Sequence, residues 1–167
     1  MMAVRDNVNE LTSLGIVEIH VGLAAGEFSA TELADATAKR IEAVDFAEGG
    51  VNSFLEFTPE MAREAAAAVD EQLAAGKAPV EIGPLAGVPM AYKDNMNLLG
   101  TRTTCGSRML ENYESMYRAT CVQRTLDAGA LPMGKLNMDE FAFGSSDRKS
   151  TRLNSSHRCT SRMPSSA

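Results

Sequence analysis

Gly83-Pro84-Leu85-Ala86-Gly87-Val88-Pro89-Met90-Ala91-Tyr92-Lys93-Asp94-Asn95 is the stretch on which the fold turns. Turn residues lead into a short apolar run that stops abruptly at three polar side chains, the pattern of a strand delivering polar groups at its end. Lys93 stands at that junction. Burial there would strip its solvent and lower its pKa from about 10.4 toward a value at which the neutral amine acts as a base. On spacing alone, a salt-bridged surface lysine is the alternative.

Helical signals precede this strand. Leu14 to Ala25 places Ile16, Ile19 and Leu23 on one stripe, with Gly26 as a stop. Ser29-Ala30-Thr31-Glu32 has capping-box spacing and opens a second helix to about Val44, with Leu33, Ile41 and Val44 as its apolar positions. Val51 to Phe57 reads as a strand, and Thr58-Pro59-Glu60 as N-cap, N1 proline and first-turn acid of an alanine-rich helix lasting until Gly76. Beyond the central strand, Ala119 to Ala128 reads as a helix stopped by Gly129, followed by a strand from Ala130 to Met133. Asn137-Met138-Asp139-Glu140 has cap spacing and predicts a helical turn carrying Phe141 and Phe143 inward. Helices followed by alternating strands and helices predict an α/β domain, and no internal repeat interrupts the order.

Composition narrows the function classes. The 167 residues are 44% hydrophobic and 23% charged, the balance of a globular protein with a real core. No run approaches the roughly 18 to 20 apolar residues of a membrane span, and the start carries no secretory h-region, so the expected location is cytoplasmic. Cys105, Cys121 and Cys159 lack the spacing of a disulfide framework or a zinc site and read as reduced thiols. The net charge of −6 works against sequence-independent binding to phosphate backbones.

That charge is uneven. Residues 147–167 hold five basic side chains against Asp147 alone, a net of +4, which leaves −10 on the first 146. The tail is rich in serine and has only Leu153 and Met163 as large apolar residues, so it reads as a disordered basic segment beside a domain over 1–146.

Other constellations carry less. Gly129-Ala130-Leu131-Pro132-Met133-Gly134-Lys135-Leu136 matches GxxxxGK, but leucine stands where a hydroxyl should hold magnesium and Pro132 has no amide for a phosphate cradle. A helix stop followed by a buried strand explains it better. His20 and His157 are isolated from metal-ligand partners, and Ser155-Ser156-His157 has nothing nearby to order it. Asp139 and Glu140, adjacent on a helix, point about 100° apart, which makes a cap the better reading than an acid/base pair.

Pro84 to Asn95, together with Thr103-Thr104-Cys105-Gly106-Ser107 and Gly134-Lys135-Leu136-Asn137-Met138-Asp139-Glu140-Phe141-Ala142-Phe143-Gly144-Ser145-Ser146, resembles the amidase signature family. Within it, the Asn-Met-Asp-Glu-Phe-Ala segment is most similar to the glutamine amidase subunits of tRNA-dependent amidotransferases, and the likeness covers residues 10 to 146. The resemblance implies the N-terminal part of the amidase signature fold, a mixed sheet flanked by helices and incomplete here. It implies a site of a lysine, a serine in a cis peptide and a nucleophilic serine acting on the side-chain amide of glutamine. Lys93 matches the lysine, and Ser145 and Ser146 match a pocket-lining Gly-Ser-Ser. No cofactor is implied for this subunit; ATP and magnesium belong to a partner B subunit, which activates the misacylated tRNA while a small C subunit braces the pair. Contact with tRNA would be indirect, through the complex, which suits an acidic domain.

From Asp147 onward the Gly/Ser-rich sequence carrying the two serines is not matched. Asp147 to His157 instead resembles translated sequencing-adaptor DNA, so the expectation is a truncated, inactive fragment with an appended tail. The two other readings are a fragment of a stand-alone small-amide hydrolase and a non-catalytic interaction protein.

Overall fold

The computed structural model describes residues 8–143. Ser145, Ser146, His157, Cys159 and the 147–167 tail, with the roles expected of them, lie outside the described residues.

A three-stranded mixed sheet organises the chain. β1 (Phe54–Phe57) and β2 (Pro89–Lys93) flank β3 (Leu131–Leu136), in the order β1-β3-β2. β3 runs antiparallel to β1 and parallel to β2. Proline and glycine are unusual in a central strand, and both sit where the ladder is irregular. Between Met90 and Ala91 the partner on β3 jumps from Pro132 to Gly134, leaving Met133 as the extra residue of a bulge. The Pro132 carbonyl accepts a hydrogen bond from Thr58 Oγ1 at 3.0 Å. Gly134 has φ 140°, and a Cβ there would stand 2.2 Å from the Glu56 carbonyl oxygen, so only glycine lets β1 come this close.

Helices cover one face. α1 (Val8–Leu11) leads into α2 (Ile16–Ala25), α3 (Ala30–Asp45) and α4 (Pro59–Ala74). Ile19, Leu23, Leu33, Ala62, Ala66 and Val69 pack with Val88, Leu131 and Met133 in the main core. The short α5 (Pro79–Ile82), not foreseen from sequence, precedes the turn into β2. On the opposite face Tyr92 and Leu98 pack with Val122 of α6 (Thr120–Asp127). The α/β class and the mixed, helix-flanked sheet are therefore as expected.

Local signals hold at several ends. Gly26 closes α2 with φ 66°. Ser29 Oγ accepts from Glu32 N at 3.0 Å while the Glu32 carboxylate accepts from Ser29 N at 2.8 Å, a complete capping box. Asp70 of α4 adds a second carboxylate to that helix start, accepting from Ala30 N and from Thr31 N and Oγ1 at 2.6–3.0 Å.

Other expectations are corrected. Ile16 and Val44 are exposed: α2 buries Ile19, Gly22 and Leu23, and the buried apolar positions of α3 are Leu33 and alanines 30, 34, 36 and 38. The strand expected from Val51 starts at Phe54, since Asn52 has φ 53° and breaks the extended backbone. Thr58 does not cap α4 through its side chain; its hydroxyl donates to the Pro132 carbonyl. The strand expected to end at Met133 continues to Leu136. The last turn begins at Glu140, with Asp139 as cap residue, and Asn137 Oδ1 accepts from the adjacent Met138 N. Phe141 has φ 52°, which swings the chain out of helical progression, and Phe141 and Phe143 face outward rather than inward. No helix among the described residues is long and apolar enough to cross a membrane.

Candidate functional site

β2 and β3 end side by side, with Lys93 paired to Leu136. Parallel strands gather sites at their carboxyl ends, because side chains and following loops converge there. Alternation sends Lys93 to the face opposite its neighbours Tyr92 and Asp94. Tyr92 and Asp94 are buried, whereas Lys93 is exposed. Burial, one of the two readings open at position 93, is therefore not what the structure shows. Nor is the salt-bridged alternative: among the described residues no carboxylate lies within 4 Å of the Lys93 amine.

The buried lysine is Lys135, at 0% exposure in the middle of the sheet. Its Nζ donates to Asp94 Oδ1 at 3.1 Å, to the Arg102 carbonyl at 3.0 Å and to Thr103 Oγ1 at 2.9 Å. These three partners occupy every hydrogen-bonding position an ammonium has, which leaves this lysine none to offer a substrate. Thr103 Oγ1 in turn lies 2.7 Å from Ser115 Oγ, which extends the buried network.

Asp94 is the hub. Its Oδ2 accepts from Thr104 Oγ1 at 2.5 Å, Thr104 N at 3.0 Å and Gly106 N at 3.3 Å. Its backbone amide continues the sheet to the Leu136 carbonyl, and its own carbonyl accepts from Cys105 N. The 103–107 turn is thus tied to the strand end by both the side chain and the backbone of one residue. Cys105 and Gly106 carry φ 52° and 68°, and the chain there runs too close to Met138 for a Cβ at Gly106. Ser107 Oγ donates to Glu140 Oε1 at 2.5 Å and Phe141 N donates to the Cys105 carbonyl, which fastens the 140–142 turn to the same loop. Glu140 therefore binds a distant serine rather than capping a local helix.

Burial pushes the Cys105 thiol above its ordinary range; the Asp94 carboxylate adds to this and the Lys135 ammonium offsets part of it. Burial likewise raises the Tyr92 phenol, against a 2.8 Å hydrogen bond with Thr125. Cys105 and Cys121 are free thiols. Among the described residues no cluster of three or more His, Cys, Asp or Glu side chains is placed to hold a metal ion.

Sequence reasoning missed Lys135 because it ended the strand at Met133 and treated the lysine only as part of a failed nucleotide loop. Continuing the strand past Gly134 would have placed a lysine in a strand paired on both edges, a position that demands a buried anion.

Known proteins carry the same framework. The glutamyl-tRNA(Gln) amidotransferase of Halorhodospira halophila has an A subunit that is 50% identical over 135 residues, 81% of this chain and 26% of the relative. The chain thus spans about a quarter of the length of the curated relatives it matches. Among solved structures, a chain of an inhibitor-bound vestigial complex tied to the origins of an s-triazine catabolic enzyme superposes with a TM-score of 0.73 at 37% identity, over 80% of this chain and 28% of that one. The native peptide amidase of Stenotrophomonas maltophilia gives 0.69 at 32%, over 75% and 25%. The sequence model of the amidase family matches residues 32–157, most of the chain, and the chain belongs to that family.

Proposed function

We propose that this chain is part of the glutamine amidase subunit of a tRNA-dependent amidotransferase. In this reading the subunit releases ammonia from glutamine, and a partner uses it to convert Glu-tRNA(Gln) or Asp-tRNA(Asn) to Gln-tRNA(Gln) or Asn-tRNA(Asn). The observation that carries the proposal is the 50% identity, over 135 residues, to the Halorhodospira halophila relative. Lys93 serves as the base: it ends a strand at the carboxyl edge of the parallel pair, and its amine is not consumed by an ion pair among the described residues. The proton it accepts comes, through one serine, from a second serine that attacks the amide carbon; that proton is handed on to the leaving nitrogen as the C–N bond breaks and ammonia departs, and water then hydrolyses the acyl-serine to glutamate. Ser145 and Ser146 line the glutamine pocket. ATP and magnesium act at the B subunit, a C subunit braces the two, and tRNA meets this chain only through the complex. Base catalysis of this kind works in a site closed to water, whereas Lys93 is exposed here, so the 167-residue chain by itself is inactive in this reading.

The test is a graft of residues 8–143 into the matching stretch of the Halorhodospira halophila relative. Glutamine-dependent ammonia release should survive the graft and fall by about 10²-fold or more with Lys93→Ala. Undiminished release by the Lys93→Ala graft would remove Lys93 from the chemistry.

The peptide amidase likeness favours a second reading, a hydrolase acting on small amides without partners. Ammonia release that is indifferent to the B and C subunits would favour it.

A further inference from the structure

A base at position 93 has a carboxylate as its sequence neighbour, and a nearby anion favours the protonated form of any amine. The structure turns that anion away from Lys93 and into the protein. Asp94 is 1% exposed, its Oδ1 is taken by Lys135 and its Oδ2 by Thr104 and Gly106. Among the described residues Lys135, from the neighbouring strand, reaches no other anion: its remaining donors go to a carbonyl and a hydroxyl.

We infer that Asp94 and Lys135 form a positioning and charge-compensating pair for Lys93. Asp94 ties the end of β2 to the 103–107 turn and so sets the backbone from which Lys93 projects. Lys135 cancels the carboxylate's charge, so that the anchor is available without an anion left beside the base. An asparagine in place of Asp94 would accept fewer charge-assisted bonds and hold the turn less firmly. An aspartate without Lys135 would hold the turn and leave its charge uncompensated. The pair supplies the anchor without the field. Among the described residues the other titratable groups around it are Cys105, beside both members, Glu140, held through Ser107, and the Arg102–Glu56 pair, whose guanidinium and carboxylate stand 3.5 Å apart.

This inference rests on Lys93 being the reacting amine. The test reads that amine directly in the 167-residue chain, through site-resolved rates of reductive methylation with formaldehyde and borohydride at one mildly alkaline pH, with Lys77 as internal reference. Lys135→Met should slow Lys93 about threefold or more, because the Asp94 carboxylate, still tied to Thr104 and Gly106, then lacks its countercharge. Asp94→Asn should change the Lys93 rate in the opposite direction, since it leaves the Lys135 cation uncompensated. The double variant should return the rate to within about 1.5-fold of wild type, as expected for a directly coupled pair. Amide exchange at Thr104 and Gly106 should rise about tenfold in Asp94→Asn while α3 stays protected. Unchanged Lys93 rates in both single variants, or changes of the same sign, would overturn the inference and leave the pair as a fold anchor only. Should Lys135→Met fail to fold, the sign of the Asp94→Asn change decides alone. A Lys93→Ala graft that kept full activity would remove Lys93 from the chemistry without altering any of these rates.

Discussion

Lys135 Nζ stands 3.1 Å from Asp94 Oδ1, with both side chains out of solvent, although Lys93, the other lysine at this sheet end, is exposed. Removing one member of a buried pair strands the other as an uncompensated charge, at a cost of roughly 3–5 kcal/mol. Lys135→Met should therefore lower the urea midpoint steeply, whereas Lys93→Ala should change stability by no more than about 0.5 kcal/mol. Comparable losses in the two variants would contradict the assignment of the buried and exposed lysines.

Asp45 closes α3 onto β1. It is 5% exposed and accepts from Ser53 Oγ at 2.6 Å, Ser53 N at 2.7 Å and Phe54 N at 3.0 Å. Burial pushes this carboxyl up, but the bonds from the Ser53 hydroxyl and from the Ser53 and Phe54 amides outweigh it and hold the group below its ordinary 3.8. A folded pKa below the unfolded one stabilises the protein above the unfolded value, and the contribution is lost as pH falls through the folded value. Asp45→Asn should cost about 1–3 kcal/mol near neutrality, and the gap to wild type should close in acid as the native carboxyl protonates. Denaturant titrations across that range give the answer; a gap independent of pH would remove the carboxylate's charge from the account.

Two glycines with positive φ separate strain from crowding. Gly76 has φ 88° and nothing within 4 Å of a Cβ, so Gly76→Ala should cost only about 1 kcal/mol of backbone strain. Gly134 has φ 140° and the Glu56 carbonyl 2.2 Å from its Cβ position. Gly134→Ala must push β1 off β3 and should cost on the order of 3 kcal/mol or more. Thermal unfolding of the two variants side by side tests the close approach at this glycine; equal losses would count against it.

The two described thiols should differ in reactivity. Cys121 is exposed, while Cys105 is partly buried and its thiol is raised by that burial and by Asp94. At neutral pH an alkylating reagent, followed by peptide mapping, should modify Cys121 at least about tenfold faster than Cys105. Faster reaction at Cys105 would mean that the 103–107 turn opens readily.

Much of the architecture is written locally. Gly26, the Ser29–Glu32 box and Pro59 mark helix boundaries because their effects reach only one turn along the chain, and the residues responsible lie within that turn. The run ending at Lys93 is readable as a strand for the same reason, and it lies within the stretch that the family model matches. Phe141 and Phe143 mislead because an apolar side chain implies burial only if the backbone turns it inward, and a positive φ at Phe141 turns it out.

By itself, then, the sequence determined the α/β class, most helix starts and stops, the family and the residue at the strand end. Only the tertiary structure decided which lysine is buried. The acceptors of Lys135 lie 41, 33 and 32 residues away, on Asp94, Arg102 and Thr103. Burial of a charge is set by the partners that fold around it, and no short window of sequence contains both the cation and the groups that satisfy it.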